Sequence, residues 1–99
     1  MGDRASISFR KDGVESVTLN SHWGGKDFQR EAASYAKALK KERDPRGGMP
    51  LDRLEPAVVM VDFIRHLTTG MDCVDGGLRV VARPEDSDNS NQGHRIIEL

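Results

Sequence analysis

The amino-acid sequence predicts a single α+β domain over residues 1–99, with elements in the order ββααββ. Two helices are expected to pack on one face of a roughly four-stranded antiparallel sheet. Three observations support this: apolar residues alternate with period two near both ends of the chain, they recur with helical spacing in the middle, and no internal repeat is visible. A chain of 99 residues of which 36% are hydrophobic can form one small core, which self-association would supplement.

The first two strands are predicted from alternating segments on either side of an Asp-Gly turn. Apolar and polar side chains alternate over residues 5–10 and again over residues 16–20. A two-residue loop would scatter the apolar side chains over both faces of the hairpin. We therefore predict a three-residue loop over residues 11–13, which places Ile7 opposite Val17.

Two helices follow. The first is predicted from about Lys26 to Arg43, and its apolar stripe comprises Phe28, Ala32, Tyr35, Ala36 and Leu39. The lysines near its C-terminal end complement the helix dipole, so their presence is explained without a binding partner. The second is predicted to start between residues 52 and 56, to end before Gly70 and to be largely buried. Its polar face comprises Asp62, Arg65, His66 and Thr69.

Two strands complete the sheet. Residues 78–83 are predicted as a strand, with Leu78, Val80 and Ala82 on one face and Arg79 and Arg83 on the other. The proline that follows ends the strand. Residues 94–99 are predicted as the last strand. The polar stretch between them, residues 85–93, has oxygen-bearing side chains but lacks the spacing of a calcium loop, so an exposed connection is expected.

The junction between the second strand and the first helix is the candidate binding site. Two glycines there permit a tight turn, and the helix N-terminus directs unpaired N–H groups at whatever precedes it. A tryptophan offers a flat surface, a histidine offers a donor or base, and a lysine adds positive charge. The candidate ligand- or partner-binding residues are His22, Trp23, Gly24, Gly25 and Lys26.

Catalytic, metal and cofactor sites are not predicted. The three histidines and Cys73 lie in four different elements with no paired ligand spacing, and the acidic neighbours of Cys73 disfavour its thiolate. A small hydrolase with His22 as base, assisted by Asp62 or Asp75, is the weakest alternative, because nothing in the spacing shows that these residues meet.

Composition bounds the partners. Fifteen basic and 16 acidic residues give a net charge of −1, with a mildly basic first half and a mildly acidic second half, and five per cent aromatic residues offer little stacking surface. Nucleic acid is therefore not predicted as a partner. The apolar runs are too short to cross a bilayer, so no membrane association is expected. A single cysteine is typical of a reducing cytoplasm.

The hairpin followed by His22-Trp23-Gly24-Gly25 and a helix resembles a group of small, uncharacterised prokaryotic and phage proteins. These often carry two N-terminal strands, a His-Trp-x-Gly step and then a helix. The resemblance covers roughly residues 5–40. It implies a cytoplasmic, phage-associated accessory protein and transfers no activity.

The leading functional hypothesis is a non-enzymatic interaction or regulatory protein that uses the junction to contact a protein partner, or a second copy of itself as a homodimer. The alternative is a protein that binds a small anion or nucleotide at the helix start formed by residues 22–26.

Overall fold

The computed structural model describes residues 3–41, 55–69, 77–86 and 91–99. It confirms the α+β class and the order of the elements. These are β1 (Ala5–Lys11), β2 (Val14–Glu15), β3 (Thr18–Ser21), α1 (Gly25–Lys41), α2 (Pro56–Thr68), β4 (Leu78–Val81), a 3-10 turn (Pro84–Asp86) and β5 (His94–Glu98). No helix in these ranges is long and apolar enough to span a membrane.

The sheet has the order β5, β1, β3, β4, and β2 pairs with the far end of β1. One pairing differs from the expectation of a wholly antiparallel sheet, because β5 runs parallel to β1. The chain leaves β4 at one edge and returns to the opposite edge, a crossover that parallel strands require. The 3-10 turn in this connection contacts β1.

The predicted three-residue hairpin loop is wrong. Asp12 and Gly13 both have positive φ, 53° and 81°, as a two-residue type I′ turn requires. The register then shifts by one residue between β2 and β3, so that Ile7 pairs with Leu19 instead of Val17. Ser16 lies in this bulge, where its hydroxyl accepts a hydrogen bond from the Phe9 amide at 3.0 Å. The bulge restores the apolar residues to one face, which the turn alone would not do.

The core lies between the sheet and both helices. Its fully buried large side chains include Ile7, Phe9 and Leu19 on the sheet and Val59, Met60 and Phe63 on α2. The prediction that α2 is largely buried is only half right, since Val58 and Val61 are exposed. α2 lies at the surface of the domain and buries one side, so its all-round apolar sequence does not reflect all-round packing.

Several sequence predictions fall outside the described residues. They concern the loop after the first helix, the helix stop at Gly70, the residues Cys73 and Asp75, and part of the polar connection, residues 87–90.

Candidate functional site

The junction between β3 and α1 is held by backbone hydrogen bonds to the segment before β1. The Asp3 amide donates to the His22 carbonyl at 2.9 Å, and the Gly25 amide donates to the Asp3 carbonyl at 2.8 Å. The Gly24 amide donates to the Ser21 hydroxyl at 2.9 Å. Gly25 has a φ of 55°, in the left-handed region that favours glycine, which explains its presence at the first position of the helix.

Asp3 is a site residue that sequence analysis missed. Its carboxylate packs so closely against Gly25 that a Cβ there would overlap it, and Oδ1 accepts a hydrogen bond from the Gln92 side chain at 2.9 Å. A carboxylate therefore already lies beside the start of α1, where a bound anion would be expected. The anion-binding alternative remains a prediction, but it must now include displacement of Asp3.

Trp23 is exposed although it is firmly supported. Its ring meets the His22 ring edge to face at 5.1 Å between centroids, and it covers Gly77 so closely that a Cβ at Gly77 would overlap it. The His22 amide donates to the Gly77 carbonyl at 2.8 Å, and His22 Nδ1 accepts from Arg4 Nε at 3.4 Å. Even so, 59% of Trp23 remains exposed to solvent. The junction thus holds a large apolar ring in place without burying it.

Trp23 forms one wall of a groove of about 370 Å³ between the start of α1, the end of α2 and β4. The groove is open and its base is mainly apolar. It is lined by Ser21, Trp23, Gly24, Asp27, Phe28, Glu31, Leu67 and Leu78. Its two carboxylates are partly engaged, since Asp27 pairs with Arg30 at 3.4 Å and Glu31 with His66 at 3.0 Å.

The groove includes two of the five predicted site residues, Trp23 and Gly24. Gly25 is buried in contact with Asp3, and Lys26 is exposed on the first turn of α1. His22 supports the tryptophan from the side. Six lining residues were not predicted. Four of them lie near the junction in sequence: Ser21, Asp27, Phe28 and Glu31. The other two, Leu67 and Leu78, come from α2 and β4, and their sequence positions give no sign of proximity to the junction.

A second cavity of about 460 Å³ lies between the two helices and includes the polar face predicted for α2. Its lining comprises Tyr35, Asp62, Arg65, His66 and Thr69. Within it Arg65 pairs with Asp62 at 2.7 Å. These charges neutralise one another, which leaves the cavity without a clear charge preference.

A chain of polar side chains crosses the sheet on the face away from the helices. The His94 ring lies between two serines of β1, with Nδ1 2.8 Å from Ser6 Oγ and Nε2 3.1 Å from Ser8 Oγ. Ser8 Oγ donates to Glu15 Oε2 at 2.8 Å. Because the only hydroxyl proton of Ser8 goes to Glu15, Ser8 must accept from His94 Nε2–H. Nδ1 of a neutral ring then accepts from Ser6, so the chain satisfies both ring nitrogens of an uncharged histidine.

The serines of this chain are not available for catalysis. A hydroxyl beside a histidine base is the pattern of a nucleophile, but Ser6 and Ser8 are both 0% exposed and no substrate could reach them. These hydrogen-bonded side chains instead connect β5 to β1 and β2. The alternation in the sequence assigns these serines to a polar strand face. Lysine or glutamate would suit an exposed face, so the small size of the serines is the signal that could have indicated burial.

No protein-family model, curated protein or solved structure matches this chain.

The residues of the hydrolase alternative are not joined by any hydrogen bond or ion pair in the described part of the chain. His22 contacts Arg4 and Trp23, whereas Asp62 pairs with Arg65. Asp75 lies outside the described residues. The structure therefore adds no support to catalysis by this set.

The buried position of His94 among these polar side chains predicts a stability that depends on pH. Burial lowers the pKa of His94 below its usual value, and the nearby Glu15 carboxylate opposes this only in part. Below about pH 6.5, His94 binds a proton in the unfolded chain but remains neutral in the folded protein. The free energy of unfolding should therefore fall as the pH falls, until His94 is also protonated in the folded state. We expect His94→Gln to reduce this slope, measured by urea unfolding at several pH values.

The matched control is His66→Gln, which removes an exposed imidazole that is bonded to Glu31. The wild-type slope should be closer to that of His66→Gln than to that of His94→Gln. Equal slopes in the wild type and His94→Gln would contradict the assignment.

Proposed function

We propose that this protein is a small protein–protein interaction module, with an accessory or regulatory role and no catalytic activity of its own. The observation that carries the proposal is Trp23, which remains 59% exposed beside an apolar groove although its ring is fixed against Gly77 and His22. A tryptophan held in this way contributes a large contact area at little cost in conformational entropy, which is typical of residues that dominate interfaces.

The groove suits an apolar side chain of a protein partner. Phe28, Leu67 and Leu78 provide apolar surface opposite Trp23, and the groove of about 370 Å³ is large enough for one or two such side chains. Asp27 and Glu31 at its rim keep the opening hydrated and give it a polar border.

Two further parts of the proposal rest on the sequence. The single cysteine supports a cytoplasmic location, and the resemblance of the hairpin and His22-Trp23-Gly24-Gly25 to small phage and prokaryotic proteins supports a phage-associated accessory role.

The test is recovery of partners from cells of the source organism with tagged protein, quantified by mass spectrometry. We expect at least one partner whose recovery falls tenfold or more with Trp23→Ser. The matched control is Val14→Ser, which replaces another exposed apolar residue on β2, and it should leave recovery unchanged. Because Trp23 is the only tryptophan of this protein, binding of the purified partner should also shift the fluorescence of Trp23 to shorter wavelength.

A second variant keeps the test decisive if Trp23→Ser fails to fold. Asp27 has a side chain that is 91% exposed, so Asp27→Trp should fill the groove from its rim without disturbing the core. Recovery of the same partners by wild type, Trp23→Ser and Asp27→Trp would contradict the proposal.

A further inference from the structure

β4 is an edge strand, because it pairs with β3 and with no other strand of the described sheet. The His22 amide donates to the Gly77 carbonyl at 2.8 Å, which makes His22 and Gly77 a hydrogen-bonded pair of the antiparallel ladder. Since such pairs alternate along the ladder, Leu78 and Val80 direct their N–H and C=O groups away from β3, toward the open edge.

The side chains of the same two residues lie on the helix side of the sheet. Val80 pairs with the core residue Leu19, so both side chains project from the same face. Leu78 lines the groove beside Trp23, and Val80 is 55% exposed next to it along the strand. A strand that paired with β4 would therefore place alternate side chains against Leu78 and Val80, at the groove.

The opposite face of this edge carries the positive charge of Arg79. Arg79 is exposed between Leu78 and Val80, and no carboxylate of the described residues pairs with it. Arg83, beyond the end of the strand, is held by two carboxylates, Glu85 at 3.5 Å and Asp86 at 3.8 Å. A partner strand would meet positive charge at the positions that alternate with its apolar contacts.

We propose, building on the proposed function, that the partner adds an extended segment to the β4 edge, with apolar side chains facing the groove and acidic side chains facing Arg79. Main-chain hydrogen bonds to Leu78 and Val80 supply part of the affinity, and the alternation of the partner's side chains supplies the specificity.

Charge argues against a second copy of this chain as the occupant. Antiparallel pairing of two β4 strands about Val80 would place Arg79 of each copy diagonally across from Arg79 of the other, so that like charges would meet on one face. The other sheet edge is a poorer candidate, because β5 carries Arg95 and Glu98 and lies beside Lys37 of α1. Charges of both signs therefore lie along that edge, which gives it no preference for an acidic segment.

The test uses two panels of nine-residue synthetic peptides that alternate valine or leucine with glutamate in one panel and with lysine in the other. Binding is followed by the amide chemical shifts of the full-length protein. We expect glutamate peptides to shift the Leu78 and Val80 amides and to bind at least tenfold more tightly than their lysine counterparts. Arg79→Glu should reverse this preference, whereas Arg95→Glu on β5 should leave it unchanged.

Val80→Pro tests the main-chain bonds. It removes an N–H that points away from β3, so the β3–β4 ladder keeps its bonds while glutamate peptides should bind at least tenfold more weakly. Arg79→Glu decides the question if Val80→Pro fails to fold. Absence of binding by every glutamate peptide, or equal binding of both panels, would overturn the inference. Concentration-dependent dimerisation that Val80→Pro abolishes would also overturn it, because the occupant would then be a second copy.

The two proposals fail in different ways. A cellular partner that requires Trp23 but tolerates both Arg79→Glu and Val80→Pro would overturn strand addition and leave the interaction module standing. Absence of any Trp23-dependent partner would overturn the proposed function itself.

Discussion

Phe63→Ala should lower the free energy of unfolding by about 3–5 kcal/mol, the largest loss expected of a single substitution in this protein. Phe63 is completely buried on the inner side of α2. Its ring meets Phe9 edge to face at 5.6 Å between centroids and lies 5.2 Å from Tyr35 and 6.3 Å from Phe28. Truncation would remove a ring that joins both helices to the central strand, and a core this small cannot readily refill the space.

Chemical denaturation with circular dichroism measures this loss. The control is Val61→Ala on the same helix, at a position 68% exposed, for which a change within about 0.5 kcal/mol is expected. A loss below about 1 kcal/mol for Phe63→Ala would contradict the packing of α2 against β1.

Gly25→Ala should destabilise the protein by about 2 kcal/mol or more, for two separable reasons. Alanine at a left-handed backbone position costs about 1–2 kcal/mol, and Gly25 has a φ of 55°. The new Cβ would also overlap the Asp3 carboxylate and force it from the start of α1. Thermal or chemical unfolding measures the sum of both effects.

Gly13→Ala separates them. Gly13 has a φ of 81° in the hairpin turn, but a Cβ added there would meet nothing within 4 Å, so alanine incurs the backbone cost alone. The excess loss at Gly25 should fall when Asp3→Ala is combined with Gly25→Ala, since the overlapping carboxylate is then gone. Equal losses for Gly25→Ala and Gly13→Ala would show that Asp3 does not occupy the helix start.

The helices are the most predictable part of the fold. The spacing of Phe28, Ala32 and Ala36 predicts the buried stripe of α1, and all three belong to the core. The sequence also predicts α2 at nearly its observed length, but it cannot show which apolar residues face solvent. Val58 and Val61 resemble core residues in type, and only the position of the helix at the domain surface exposes them.

The hairpin shows why register is harder to predict than strand identity. The parity of the apolar residues correctly requires them to share one face, but a three-residue loop and a two-residue turn with a bulge both meet that requirement. The bulge depends on Ser16, whose hydroxyl bonds the Phe9 amide and the Val17 carbonyl. The sequence does not distinguish a serine with this role from any other serine in a polar segment.

The site is predictable only where its residues are contiguous in the sequence. Trp23 and the two glycines after it are recognisable because they stand together, whereas Asp3 and Leu78 reach the same corner from distant parts of the chain. The burial of Ser6 and Ser8 also escapes prediction, since their partner His94 lies 88 and 86 residues away in the sequence.

The parallel pairing of β1 with β5 has a consequence for synthesis of the protein. β1 is made well before its neighbour across one edge, because the paired residues of β1 and β5 are 88 positions apart in the sequence. Until then β1 can pair only on the β3 side, and its other edge stays open to unwanted strand pairing. Formation of the complete sheet must therefore wait until residue 98 has been made, and nascent chains that stall before residue 94 should be prone to aggregate.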